Sequence, residues 1–100
     1  MSKNLILDKL EGVKERFEEV GRLLTQSDVM QNMKKYIQLN KEYKELSPII
    51  EAYNDYKKTL GNIDFAREVL AEEKDEEMRE LAKAEQDELT ARIIEMEDKI

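Results

Sequence analysis

The sequence predicts an all-α fold: an antiparallel helical bundle of about four segments with coiled-coil-like seams. Three observations carry that reading. Apolar residues recur at alternating steps of three and four along nearly the whole chain, the spacing that lines side chains up on one stripe of an α-helix. Charged residues make up 41% of the sequence and aliphatic and aromatic ones 40%, so each helix has a narrow apolar face and a wide solvated one. Only three Gly and one Pro interrupt the 100 residues. A single domain of that length can bury a bundle seam but not a thick core.

The organising stretch runs from Tyr36 to Leu60 and crosses Pro48. Its stripe is Tyr36, Leu39, Tyr43, Leu46, Ile50, Tyr53 and Leu60, with Lys57 in the remaining slot. The register does not slip at Ser47-Pro48-Ile49. Two segments lying roughly end to end on one partner surface are therefore expected there.

The first helix is expected over residues 3–24, capped by Ser2 or Asn4, with the seam Ile6, Leu10, Val13, Phe17, Val20 and Leu24. Gly12 and Gly21 each cost it about 1 kcal/mol against Ala, so it depends on packing. Thr25-Gln26-Ser27-Asp28 ends it, and Ser27 or Asp28 can cap the next helix. So short a loop makes a hairpin.

The second segment, 28–46, carries Met30, Met33, Ile37, Leu39, Tyr43 and Leu46, with Asn40 at the border of its seam. Ser47-Pro48 reads as a cap followed by proline at the first helical position, where its missing N–H is not needed. A kink or short break is expected there, because an interior proline costs about 3 kcal/mol. The third segment, 48–70, carries Ile49, Ile50, Tyr53, Tyr56, Leu60, Ile63, Ala66, Val69 and Leu70, with Gly61-Asn62 as a weak point. Asp75 caps the fourth, 76–100, whose stripe is Met78, Ala82, Leu89, Ile93, Met96 and Ile100. No stop signal follows, so a fragment cut from a longer protein is expected.

The net charge of −7 sits entirely in the last thirty residues: residues 71–100 hold 12 acidic and 5 basic side chains, while residues 1–70 are balanced. An acidic arm repels phosphate backbones, so no direct nucleic-acid site is evident, and basic protein patches are the more natural partner. With no Cys and no His, disulfides, ordinary zinc sites, thiol nucleophiles and the commonest acid–base side chain are excluded. No secretory signal and no membrane-spanning run is present, which points to a cytoplasmic chain without a membrane partner.

Carboxylate-bridged metal sites in bundles pair Glu with His, and there is no His. Glu85, on the fourth segment's apolar stripe, is the one acidic residue to follow, and its plain reading is a seam-edge residue reaching solvent. Tyr36, Tyr43, Tyr53 and Tyr56 at helical spacing read as core residues with a wet hydroxyl before they read as a base-stacking platform. There is no phosphate loop and no catalytic triad. No catalytic, cofactor or metal residue is assigned, no cofactor is expected, and the binding residues are not readable.

The order and spacing of several pieces resemble the amino-terminal helical domain of bacterial class I peptide chain release factors of the UAA/UAG-reading branch. They are Arg16-Phe17-Glu18-Glu19-Val20, Leu23-Leu24, Lys41 through Ile50, Tyr53, Tyr56, Ala66-Arg67, Val69-Leu70, Asp75, Glu77-Met78, Leu81-Ala82 and Glu85. The resemblance implies a non-catalytic module, truncated before the codon-reading and catalytic domains. That module would help place the factor on the ribosome near the stalk base of the large subunit. Its partners would then be the ribosome and the remaining domains of the same factor. The family's Gly-Gly-Gln loop and its stop-codon tripeptide are absent, so no catalytic role transfers to any residue here. The alternative is a structural coiled-coil oligomerisation or scaffold module, although the short loops favour an intramolecular bundle and hence a monomer. A helical tRNA-binding arm of a synthetase would want basic flanks, which the acidic fourth segment lacks.

Overall fold

The computed structural model describes residues 4–99. Those residues form α1 (Leu5–Leu23), α2 (Ser27–Met30), α3 (Met33–Glu72) and α4 (Glu76–Lys99), with no strand among them. The chain divides into two compact units, Met1–Tyr53 and Asn54–Ile100.

In the first unit α1 begins where expected. Asn4 is its cap, and its Oδ1 accepts from the amides of Ile6 and Leu7 at 2.9 and 3.3 Å; Ser2 lies outside the described residues. All six seam positions of α1 turn inward, with Leu10 and Val20 fully buried and Ile6, Val13, Phe17 and Leu24 half-buried. Val20 packs with Val29 and Leu39, flanked by Leu23, Leu24 and Tyr43. Phe17 stacks on Tyr43 at 4.6 Å between ring centroids and 22° between planes. Gly21 fits this close approach, since a Cβ there would stand 3.4 Å from the Tyr43 ring. Residue numbers rise along α1 as they fall along α3 through these contacts, so the two helices are antiparallel.

Met30, Met33 and Ile37, expected on the apolar face of the second segment, are all exposed instead, and two expectations about the backbone of this unit are corrected as well. The helix expected from residue 28 to 46 is interrupted: one turn, α2, ends at Met30, and α3 starts at Met33. Asn32 accounts for the restart, because its Oδ1 accepts from the Lys35 amide at 3.2 Å and diverts the backbone from a continuous helix. The isolated turn tucks Val29 into the core at 1% exposure. Neither Ser27 nor Asp28 caps a helix through its side chain: Gln26 is the cap residue of α2, with no side-chain bond.

The second correction concerns Pro48, which does not begin a helix. It lies inside α3, which is helical without interruption from Met33 to Glu72. A proline there forfeits one N–H donor, the one that would have reached the carbonyl of Lys44. Lys44 and Pro48 are both exposed, so water can take up that carbonyl. Leu39 and Tyr53 on the opposite face stay buried, with Tyr43, Leu46 and Ile50 half-buried between them. One lost bond on the wet side does not break a helix anchored on its dry side.

The second unit is a hairpin of the end of α3 and α4. Its buried residues are Tyr56, Thr59, Ile63 and Ala66 from α3, and Ala82 and Ile93 from α4. Thr59 occupies a core position at no polar penalty, because its hydroxyl donates to the Asp55 carbonyl at 2.8 Å. Tyr56 donates to Glu97 at 2.8 Å at one end of the hairpin and Arg79 donates to the Leu70 carbonyl at the other, so the two helices are antiparallel; Arg92 also pairs with Asp55 at 3.7 Å. Asp75 caps α4 as expected, accepting from the Met78 amide at 3.1 Å. Met78, expected on the stripe, is exposed instead, and Ile100 lies outside the described residues.

Arg79, in the first turn of α4, donates to the carbonyl of Leu70 and, at 3.3 Å, to that of Glu73. Those carbonyls have lost their helical partners as α3 ends, and a cation is the group that best satisfies them.

Candidate interaction surfaces

The sequence assigns no catalytic residue, and its candidate polar and aromatic side chains are distributed as packing and surface. Glu85 is exposed on α4. Tyr56 and Tyr53 are buried, Tyr43 stacks on Phe17, and Tyr36 lies at the edge of exposure, so the four do not share a stacking platform. Among the described residues no three Asp or Glu side chains are grouped to hold a metal ion. No helix among them is long and apolar enough to cross a membrane.

The densest polar geometry lies on the α1–α3 contact of the first unit. The Arg16 guanidinium reaches Glu42 through Nε at 2.6 Å and a second nitrogen at 2.8 Å, and it also meets Glu19 at 2.9 Å. A planar fork on a carboxylate is the strongest form of ion pair, and it sits one residue from the Phe17–Tyr43 stack on both helices. The two hydrogen bonds from Arg16 hold the Glu42 carboxyl below its ordinary value of 4.5, and the same bonds raise the guanidinium.

The sign of the resulting pH effect follows. A carboxyl whose pKa is lowered by folding contributes stability above the unfolded value, and loses it as pH falls through the folded one. Glu42→Gln should therefore lower the urea midpoint at about pH 7, and the deficit should shrink at about pH 3. An equal deficit at both values would show that the charge contributes nothing and that only shape matters.

Other surface features among the described residues include the following. A shallow acidic concavity on α1 is lined by Glu15, Glu18 and Glu19 with Arg16 and Arg22. The first turns of α4 expose Met78 and Leu81 among Glu77 and Glu80. The first unit's part of α3 carries Tyr36, Ile37, Asn40, Lys41, Lys44 and Glu45 around a third shallow concavity. None of these encloses a nucleophile with a base. The α3 surface is hidden in the balanced charge of residues 1–70, because a total says nothing about which face the lysines occupy. Placing positions 34, 37, 41 and 44 on a helical wheel brings it out.

Comparison with known proteins gives a consistent family. The PCRF domain matches residues 13–100. The chain is similar to peptide chain release factor 1 of Parabacteroides distasonis, 44% identical over 100 residues, covering all of this chain and 27% of that protein. It is similar to the protein of the same name from Cytophaga hutchinsonii, 49% identical over 80 residues, covering 80% of this chain and 22% of that protein. With that of Bacteroides fragilis it shares 43% identity over 97 residues, covering 97% of this chain and 26% of that protein. The chain thus spans about a quarter of the length of these relatives. No solved structure matches.

Proposed function

This chain belongs to the PCRF domain family, and from that premise we propose that it is a non-catalytic, amino-terminal helical domain of a translation termination factor, working in the cytoplasm. The observation that carries the proposal is the match over residues 13–100 together with 44% identity along the whole chain to a peptide chain release factor. The architecture agrees with a placing role: two helical units, seams filled by side chains, and surfaces that offer shape and charge but no reacting group. In this reading the domain helps seat the factor on the ribosome near the stalk base of the large subunit, and the chemistry of peptide release belongs to the remaining domains of the same factor.

The test is binding of the chain to isolated large ribosomal subunits across a salt series. Saturable binding that weakens with salt supports the reading, since a protein surface seated by charge is screened within about 10 Å at 0.1 M salt. Peptidyl-tRNA hydrolysis by this chain alone would overturn its non-catalytic assignment.

A further inference from the structure

One face of α3 in the first unit is occupied by nothing in that unit. Met33, Ile37, Lys41, Lys44 and Pro48 follow one another at steps of four, four, three and four, with Lys34 alongside. All are exposed, Met33 at 67% and Ile37 at 58%. Leu39 and Tyr43, which hold the helix to α1, lie on the other side. The three lysines enter none of the ion pairs among the described residues, although carboxylates outnumber cations in the chain. Glu42, next to Lys41 in sequence, is already taken by Arg16.

We propose that this face docks an acidic amphipathic helix of another protein, whose apolar side chains cover Met33 and Ile37 and whose carboxylates meet Lys34, Lys41 and Lys44. The inference goes beyond the termination-factor reading, because it names the chemistry of a protein partner and stands whether or not the chain binds ribosomes. The mixture on the face decides the class of partner. Two exposed apolar residues one helical turn apart, continued along the same face by lysines, suit a partner helix that carries apolar side chains beside carboxylates. A phosphate backbone would satisfy the lysines but leave Met33 and Ile37 against charge. A basic partner would meet three unpaired lysines.

The test is titration of the isotope-labelled chain, followed by NMR, with a synthetic helix of about 20 residues bearing Leu at steps of three and four and Glu on both flanks. Amide shifts confined to residues 33–48 are expected. Lys41→Glu with Lys44→Glu should weaken binding by about tenfold or more, and a peptide with Lys in place of Glu should restore it to the variant. Ile37→Ser should weaken both pairings. These positions are exposed, so the variants should keep the helical circular dichroism of the parent. Unchanged amides with the acidic peptide would overturn the proposal. So would stronger shifts of the same residues by a single-stranded polyuridine, which would make the face an RNA surface. Self-association that Ile37→Ser abolishes would overturn it too, in favour of a second copy of this chain.

Discussion

Tyr56→Ala is expected to destabilise the second unit by about 3–5 kcal/mol, the range for deleting a buried aromatic ring. Tyr56 is the largest fully buried side chain, at 0% exposure, so its removal leaves a cavity that the facing α4 residues cannot fill without moving. Against a total of about 5–15 kcal/mol for a domain, that is enough to bring the unit near its unfolding midpoint. Tyr56→Phe separates the two contributions. It keeps the ring and removes only the hydroxyl that donates to Glu97 at 2.8 Å, and because Glu97 is exposed its carboxylate returns to water, so a loss of about 1 kcal/mol is expected. Urea titration of both variants checks this. A loss under about 1 kcal/mol for Tyr56→Ala would mean that the ring does not hold the hairpin together.

Pro48→Ala is expected to stabilise the chain by about 2 kcal/mol. Proline in a helix interior is about 3 kcal/mol worse than alanine, and its stiffening of the unfolded chain returns about 0.4–1 kcal/mol of that. Alanine would restore the amide that can donate to the Lys44 carbonyl, and the exposed position leaves room for it. The gain should appear as a higher urea midpoint at unchanged slope. A loss of stability would show that the local geometry imposed by proline is needed by the seam residues Leu46 and Ile50.

These two residues also mark the limits of what the sequence reveals. The apolar period locates α1, α4 and the stripe of α3, although not the bounds of α3, and it finds the six seam positions expected of the first helix, because three-four steps sustained over many residues arise where a helix keeps one side dry. The Asn4 and Asp75 caps are legible from their setting: each is a short polar side chain just before a periodic run. Pro48 misleads, because a rule about a single residue stands against a stripe running through Tyr43, Leu46, Ile50 and Tyr53, and burial along that stripe outweighs one backbone bond. The interruption at Gln31-Asn32 escapes sequence reasoning, since Asn at a helix start and Asn on a helix flank look alike until the tertiary contacts of Val29 are known. Thr59 escapes it because a hydroxyl that bonds its own helix behaves as a small apolar group. The candidate docking face is hidden in a balanced count of charges.

The Arg79 clamp has a kinetic consequence. Arg79 joins carbonyls only nine and six residues behind it, so the turn between α3 and α4 closes a very short loop. The Tyr56–Glu97 bond at the other end spans 41 residues. Closing the short loop first reduces the chain entropy that each later contact must overcome, and the hairpin can zip outward from its turn one helical layer at a time. Assembly in that order exposes the apolar stripe of each helix only briefly, because each newly formed turn meets its partner at once.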